Sequence, residues 1–161
     1  MEYNIKGIIF AVCALAVTVY LIVAAREDAR SFEVTRIKHL IGFIPALCIL
    51  LMNGKMLSMF DIGVIAMFVL LCLIIGVIGI YGMADGFVFA NLTVLFGGIG
   101  GSAGIGLVVM IMILACFSGL LEMLLRKMVT LAAFKQNKHI AFVPHILTGY
   151  VSIMIALSIW L

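Results

Sequence analysis

The sequence is short of charge, and of acidic residues above all. Charged residues make up 11% of the 161 positions and only seven are Asp or Glu, whereas hydrophobic residues make up 66%. A soluble domain has about 25% charged and about 45–50% apolar residues. Because so much apolar surface cannot be hidden from water in a chain of this length, the composition predicts an integral membrane protein without a soluble domain. The formal charge of +3 gives no indication of nucleic-acid binding.

Cysteine and histidine are too few and too widely spaced for the common metal sites. The cysteines lie inside hydrophobic stretches, and none forms a C-x-x-C pair; they are Cys13, Cys48, Cys72 and Cys116. The histidines, His39, His139 and His145, have no metal-ligand spacing either. These patterns argue against a disulfide framework and against a zinc site, so no metal or other cofactor is expected.

Six hydrophobic stretches predict membrane-spanning helices, at residues 7–25, 37–52, 62–81, 86–101, 103–125 and 142–161. The first stretch is too long for the apolar part of a secretory signal, and we expect it to be a retained span. Backbone polar groups must be paired inside lipid, so all six are expected to be α-helices. The predicted fold is an all-α bundle of about six transmembrane helices, a single membrane domain over residues 1–161. The glycine-rich segment 97–104 is expected to turn the fourth helix into the fifth.

Positive charge predicts the orientation of the bundle. Eight of the ten Lys and Arg residues lie in two connections. Arg26, Arg30, Arg36 and Lys38 lie between the first two spans, and Arg126, Lys127, Lys135 and Lys138 lie between the last two. With six spans these two connections fall on one side of the membrane, which the positive-inside rule makes cytoplasmic.

Two aspartates are the main candidates for a functional site. Asp28 follows the first hydrophobic stretch and Asp85 follows the third, so both are predicted at the cytoplasmic face, whereas Asp61 falls on the opposite side. Acidic residues near a bilayer core are costly and tend to be functional. Two carboxyl groups in one site can share a proton and activate water. The alternative is that Asp28 pairs with Arg26 or Arg30 and that Asp85 caps the fourth helix.

Other polar residues have simpler interpretations. Glu122 precedes Arg126 by four residues, which predicts a salt bridge along a helix. Glu27 and Glu33 are expected to be solvated among nearby cations. His145 is interpreted as a packed or interfacial histidine, although its predicted position level with the aspartates also suits a site. No base stands near the serines in sequence, so nucleophilic serine chemistry is not expected; they are Ser118, Ser152 and Ser158.

Three segments carry a recognisable order of motifs. Residues 28–36 read D-A-R-S-F-E-V-T-R, residues 82–85 read G-M-A-D, and residues 140–149 read I-A-F-V-P-H-I-L-T-G. They resemble, in this order, the D-L-R-x-x-x-I-P-N, G-x-G-D and I-P-F-x-P-x-x-x-x-G motifs of type IV prepilin peptidases, the G-x-G-D membrane aspartyl proteases. The departures are Thr35, Arg36, Ala84 and Ala141, with Phe87 where the family often has lysine.

The resemblance implies an intramembrane aspartyl endopeptidase with Asp28 and Asp85 as its catalytic pair. Arg30, Gly82, Ala84 and Pro144 would support the motifs. The implied reaction removes the basic leader of a type IV prepilin or pseudopilin at the cytoplasmic face of the cell membrane. Larger members carry a segment with paired cysteines that has no counterpart here, so neither methyltransferase activity nor S-adenosylmethionine is expected. The alternatives are a non-enzymatic transporter subunit or assembly factor, or an inactive relative.

Overall fold

The computed structural model describes residues 2–80, 82–130 and 140–160. Within these ranges the chain forms five α-helices: α1 Glu2–Ser31, α2 Arg36–Asn53, α3 Met59–Ile78, α4 Met83–Thr130 and α5 Val143–Trp160. Four of the described helices, α1 to α4, are long and apolar enough to cross a membrane, and α5 has a shorter apolar stretch. The predicted all-α membrane bundle is therefore confirmed. Lys135 and Lys138, used to predict orientation, and the predicted span ends Tyr81 and Leu161 lie outside the described residues.

Helix α4 reverses direction at Gly101, where the backbone has φ 59° and ψ −136°. A Cβ atom on Gly104 would overlap the carbonyl oxygen of Phe96. Along a continuous helix these two residues would be about 12 Å apart, so the chain doubles back here. The two halves of α4 thus take the places of the fourth and fifth predicted spans. The predicted glycine-rich turn over 97–104 is reduced to the single residue Gly101, with helix on both sides.

Asp61 stabilises the reversal of α4 at one end of the bundle. Its carboxylate and Ser58 form a capping box at the start of α3, and Asp61 Oδ1 also accepts a hydrogen bond of 2.8 Å from the Ser102 backbone. Asp85 lies sixteen residues before Gly101 along α4, about 24 Å at the rise of an α-helix. Asp61 is therefore at the opposite end from Asp85, as predicted.

The first half of α4 is the centre of the bundle. Every residue from 88 to 98 is buried, and α4 packs against α2, α3 and α5. A helix that is apolar and buried all round belongs in a core rather than at a lipid surface. From α1, Val17, Leu21 and Ala24 complete this core. Asp85 therefore lies one helical turn before this fully buried stretch of α4.

The candidate site lies at the other end of the bundle. Helix α1 continues six residues beyond the predicted span to Ser31, so Asp28 lies in its last turn and not in a loop. Asp85 lies in the first turn of α4, and α5 begins at Val143. The end of α1 and the starts of α2, α4 and α5 therefore meet around the two aspartates.

Candidate active site at the Asp28–Asp85 cleft

Asp28 and Asp85 line one cleft, of about 760 Å³. Each residue is only 6% exposed, although carboxylates are almost never so buried unless they are paired. They come from different helices, α1 and α4. The structure thus brings together the two acidic residues that were predicted to share one face.

Asp28 is bonded to the start of α5. Its Oδ2 accepts a hydrogen bond of 3.0 Å from the backbone N–H of Val143. In the described part of the chain it forms no ion pair with Arg26 or Arg30, which were the partners in the alternative interpretation. A carboxylate at a helix start is stabilised by the free N–H groups and by the helix dipole. Asp28 therefore joins the end of α1 to α5 while it faces the cleft.

Asp85 is fixed by its own helix start. Its Oδ2 accepts a hydrogen bond of 3.0 Å from the backbone N–H of Gly82, which precedes α4. This is the helix cap that the alternative interpretation foresaw. A cap of this kind occupies one oxygen, so Asp85 both closes the helix and faces the cleft with Asp28.

The predicted motif residues divide into two groups. Gly82 and Ala84 line the cleft beside Asp85. Arg30 is exposed and is not among the lining residues, and Pro144 lies in the first turn of α5, next to Val143. Arg30 and Pro144 are therefore not in position to touch a molecule inside the cleft.

The Glu27 side chain makes specific contacts with the start of α2. It forms a 2.7 Å ion pair with Lys38, and its other oxygen accepts a 2.7 Å hydrogen bond from the Thr35 hydroxyl. Glu27 remains partly exposed among the cations, as expected, and it is also paired with one of them, because the end of α1 and the start of α2 approach closely here. Glu33, by contrast, is exposed. Four acidic residues and one arginine line the cleft, and Lys38 balances the charge of one of the four, Glu27.

A buried polar cluster beside the cleft was missed from the sequence. His39 Nδ1 lies 2.7 Å from the Tyr20 hydroxyl, and the His39 ring stacks on Phe87 with a centroid distance of 5.1 Å. Asn91 donates a 3.3 Å hydrogen bond to the His39 carbonyl. The spacing of the buried residues of α2 was the available signal; they are His39, Gly42, Ala46 and Ile49, which share one helix face.

A second cluster corrects the interpretation of Ser118. Its hydroxyl lies 2.9 Å from His145 Nδ1, so a base does stand beside this serine. The other ring nitrogen, Nε2, lies 2.9 Å from a Glu122 oxygen, at ion-pair distance but without hydrogen-bond alignment. Glu122 also pairs with Arg126, as predicted.

These Ser, His and Glu side chains resemble a nucleophilic triad, but they lie in packing and not in the cleft. His145 is 6% exposed, and its ring packs near Phe142 at a centroid distance of 6.1 Å. Neither Ser118 nor His145 is among the residues that line the cleft. A nucleophile needs space for a substrate carbonyl about 3 Å away. The cluster therefore joins α4 to the start of α5, whose Val143 N–H holds Asp28.

All three motif-like segments meet at this site. Asp28 comes from the first, Gly82 and Asp85 from the second, and the Val143 N–H from the third.

No protein-family model, curated protein or solved structure matches the chain.

Proposed function

We propose that this protein is an intramembrane aspartyl endopeptidase similar to type IV prepilin peptidases. The observation that supports the proposal is the pair of buried aspartates facing one cleft from different helices. Aspartyl hydrolysis requires two carboxyl groups, and it proceeds without a covalent intermediate and without a metal. Enclosed acidic residues in a cleft are candidates for such a role.

The chemistry follows from two carboxyl groups in different protonation states. The ionised one removes a proton from water, and the hydroxide oxygen forms a bond to the peptide carbonyl carbon. The protonated one donates its proton to the carbonyl oxygen. When the C–N bond breaks, the amine leaves with a proton from the carboxyl group that received one from water, and the other carboxylate takes back a proton from a hydroxyl of the tetrahedral intermediate as the product carboxyl group forms. The hydrogen bonds from Gly82 and Val143 would hold the two carboxyl groups in place throughout.

The proposed substrate is a type IV prepilin or pseudopilin, in pilus assembly or protein secretion. Such a substrate has a short basic leader ahead of an apolar helix, and the positive-inside rule keeps that leader cytoplasmic. Arg26, Arg30 and Arg36 lie at the same end of this bundle as the cleft, so the same rule would turn the cleft to the cytoplasmic face of the cell membrane. With Glu27 paired to a lysine and one aspartate protonated, Glu33 and the ionised aspartate still outnumber Arg36 in the cleft and would complement a basic leader.

Gly82→Leu is expected to reduce cleavage at least tenfold while the protein still inserts in the membrane. A Cβ atom at Gly82 would lie 3.0 Å from Asp85 Oδ2, so a larger side chain displaces the carboxyl group from the cleft. Misplacement of a catalytic group by about 1 Å can cost roughly a hundredfold in rate. Initial cleavage rates per inserted molecule measure the effect.

The matched control is Gly63→Leu, in α3, where an added Cβ meets nothing within 4 Å. This variant is expected to cleave at the wild-type rate. Equal rates for Gly82→Leu and Gly63→Leu would contradict the role of Gly82.

The proposed function is tested with membranes that contain the full chain and a panel of tagged prepilins and pseudopilins. Loss of the leader is read from the mass of the product and from its new N-terminus. The double variant Asp28→Asn, Asp85→Asn supplies the background rate. Cleavage above that background supports the peptidase. If wild type leaves every substrate intact, the inactive relative or the non-enzymatic membrane component becomes the better interpretation.

A further inference from the structure

Phe32 has a backbone conformation that L residues rarely adopt. Its φ is 56°, and it is the one residue other than glycine with a positive φ in the described ranges. The other positive-φ positions there are glycines, Gly79 and Gly101. A bulky side chain at such a φ is strained, and strained residues of this kind cluster at functional sites.

The strained turn is firmly held. The Phe32 N–H donates a 2.8 Å hydrogen bond to the Asp28 carbonyl and so closes the last turn of α1. The Ser31 hydroxyl is within 3.0 Å of the Glu27 carbonyl and 2.9 Å of the Glu33 carbonyl. A glycine at position 32 would close the helix in the same way without strain, as Gly79 does at the end of α3. Closure of helix α1 therefore does not explain why position 32 is a phenylalanine.

The position of the Phe32 ring in the cleft explains the choice of residue. Phe32 lies one helical turn beyond Asp28, it lines the same cleft as the two aspartates, and it is 45% exposed. Other apolar side chains also line the cleft, namely Val34, Met83, Phe87 and Phe142. The cleft thus combines buried carboxyl groups with apolar lining residues, and Phe32 is the one among these whose backbone is strained.

We propose that Phe32 is a specificity-determining residue whose ring packs against an apolar side chain of the bound peptide, next to the scissile bond. The proposal rests on the proposed peptidase function and adds a contact residue to it. The strained turn holds the ring over the cleft before the peptide arrives, so little side-chain freedom is lost on binding. Phe32 takes no part in proton transfer.

The test is steady-state cleavage of one prepilin by the full chain in membranes, with thermal unfolding measured on the same variants. Phe32→Gly is expected to raise KM by roughly tenfold or more, the scale of a lost apolar contact, with kcat within about threefold of wild type. The melting temperature of the same variant checks that it is folded, because glycine fits the positive φ of this position. Phe32→Trp retains an apolar ring and is expected to keep KM within about threefold of wild type.

Ile37→Ala is the control, because Ile37 is an exposed apolar residue near the same end of the bundle that does not line the cleft. Its KM is expected to equal that of wild type. If wild type cleaves but Phe32→Gly has an unchanged KM, Phe32 is an interfacial membrane anchor and this proposal alone is overturned. If wild type cleaves no prepilin at all, the proposed function fails and this inference fails with it.

Discussion

Replacement of either Asp28 or Asp85 by Asn is expected to reduce prepilin cleavage by about 10²–10⁴-fold, the usual contribution of a general acid or base. Asn is nearly the same size as Asp, but it can neither accept a proton from water nor donate one to the carbonyl oxygen. Because the reaction needs one group of each kind, each single variant is expected to lose almost all activity. The initial rate of leader removal, per molecule in the membrane, measures this.

Asp61→Asn is the matched control for the two cleft variants. Asp61 accepts hydrogen bonds from Ser58 and Ser102 at the opposite end of the bundle, so its loss affects stability and not the cleft. We expect its rate per folded molecule to equal that of wild type. Wild-type rates for Asp28→Asn or Asp85→Asn, with both proteins inserted, would make that aspartate structural and the mechanism wrong.

Gly104→Ala is expected to lower the free energy of unfolding by about 1–3 kcal/mol or more, the range for overpacking a tight interior. The added Cβ would overlap the Phe96 carbonyl oxygen and would lie 2.5 Å from its carbonyl carbon. Both atoms belong to backbone, which cannot rotate away as a side chain can. The two halves of α4 must therefore separate to admit one methyl group.

Gly106→Ala gives the comparison two residues away in the same helix, where a Cβ meets nothing within 4 Å. Its stability is expected to be unchanged or to rise by up to about 1 kcal/mol, the helix-propensity gain of Ala over Gly. Denaturant unfolding in detergent, followed by helical circular dichroism, measures both variants. An equal unfolding midpoint for Gly104→Ala and Gly106→Ala would contradict the close contact between the two halves of α4.

Part of the site could be predicted from local sequence because its causes are local. The Glu122–Arg126 ion pair follows from helical spacing alone. The placement of Asp28 and Asp85 at one end follows from the alternation of spans, and the opposite position of Asp61 follows in the same way. Each inference needs only the period of a helix and the length of a span.

Other contacts could not be predicted, because their partners are distant in sequence. The Val143 N–H that holds Asp28 is 115 residues away along the chain. Ser118 and His145 are 27 residues apart and meet only because the second half of α4 packs against α5. Sequence reasoning therefore assigned no base to Ser118 and the wrong alternative partners to Asp28. The Tyr20–His39 contact likewise depends on how α1 and α2 are rotated against each other.

The sequence by itself determined a helical membrane bundle, since its apolar stretches must pair their backbone groups internally in lipid. It also determined that both aspartates lie at the same end of the bundle. Only the tertiary structure decided that both carboxyl groups face one cleft, because a helix that is apolar on every side has no preferred rotation about its own axis. That rotation is set by packing. The Tyr20 ring fits only against Gly42, where a Cβ would lie 2.6 Å from the ring, and Gly101 turns the second half of α4 back towards α5.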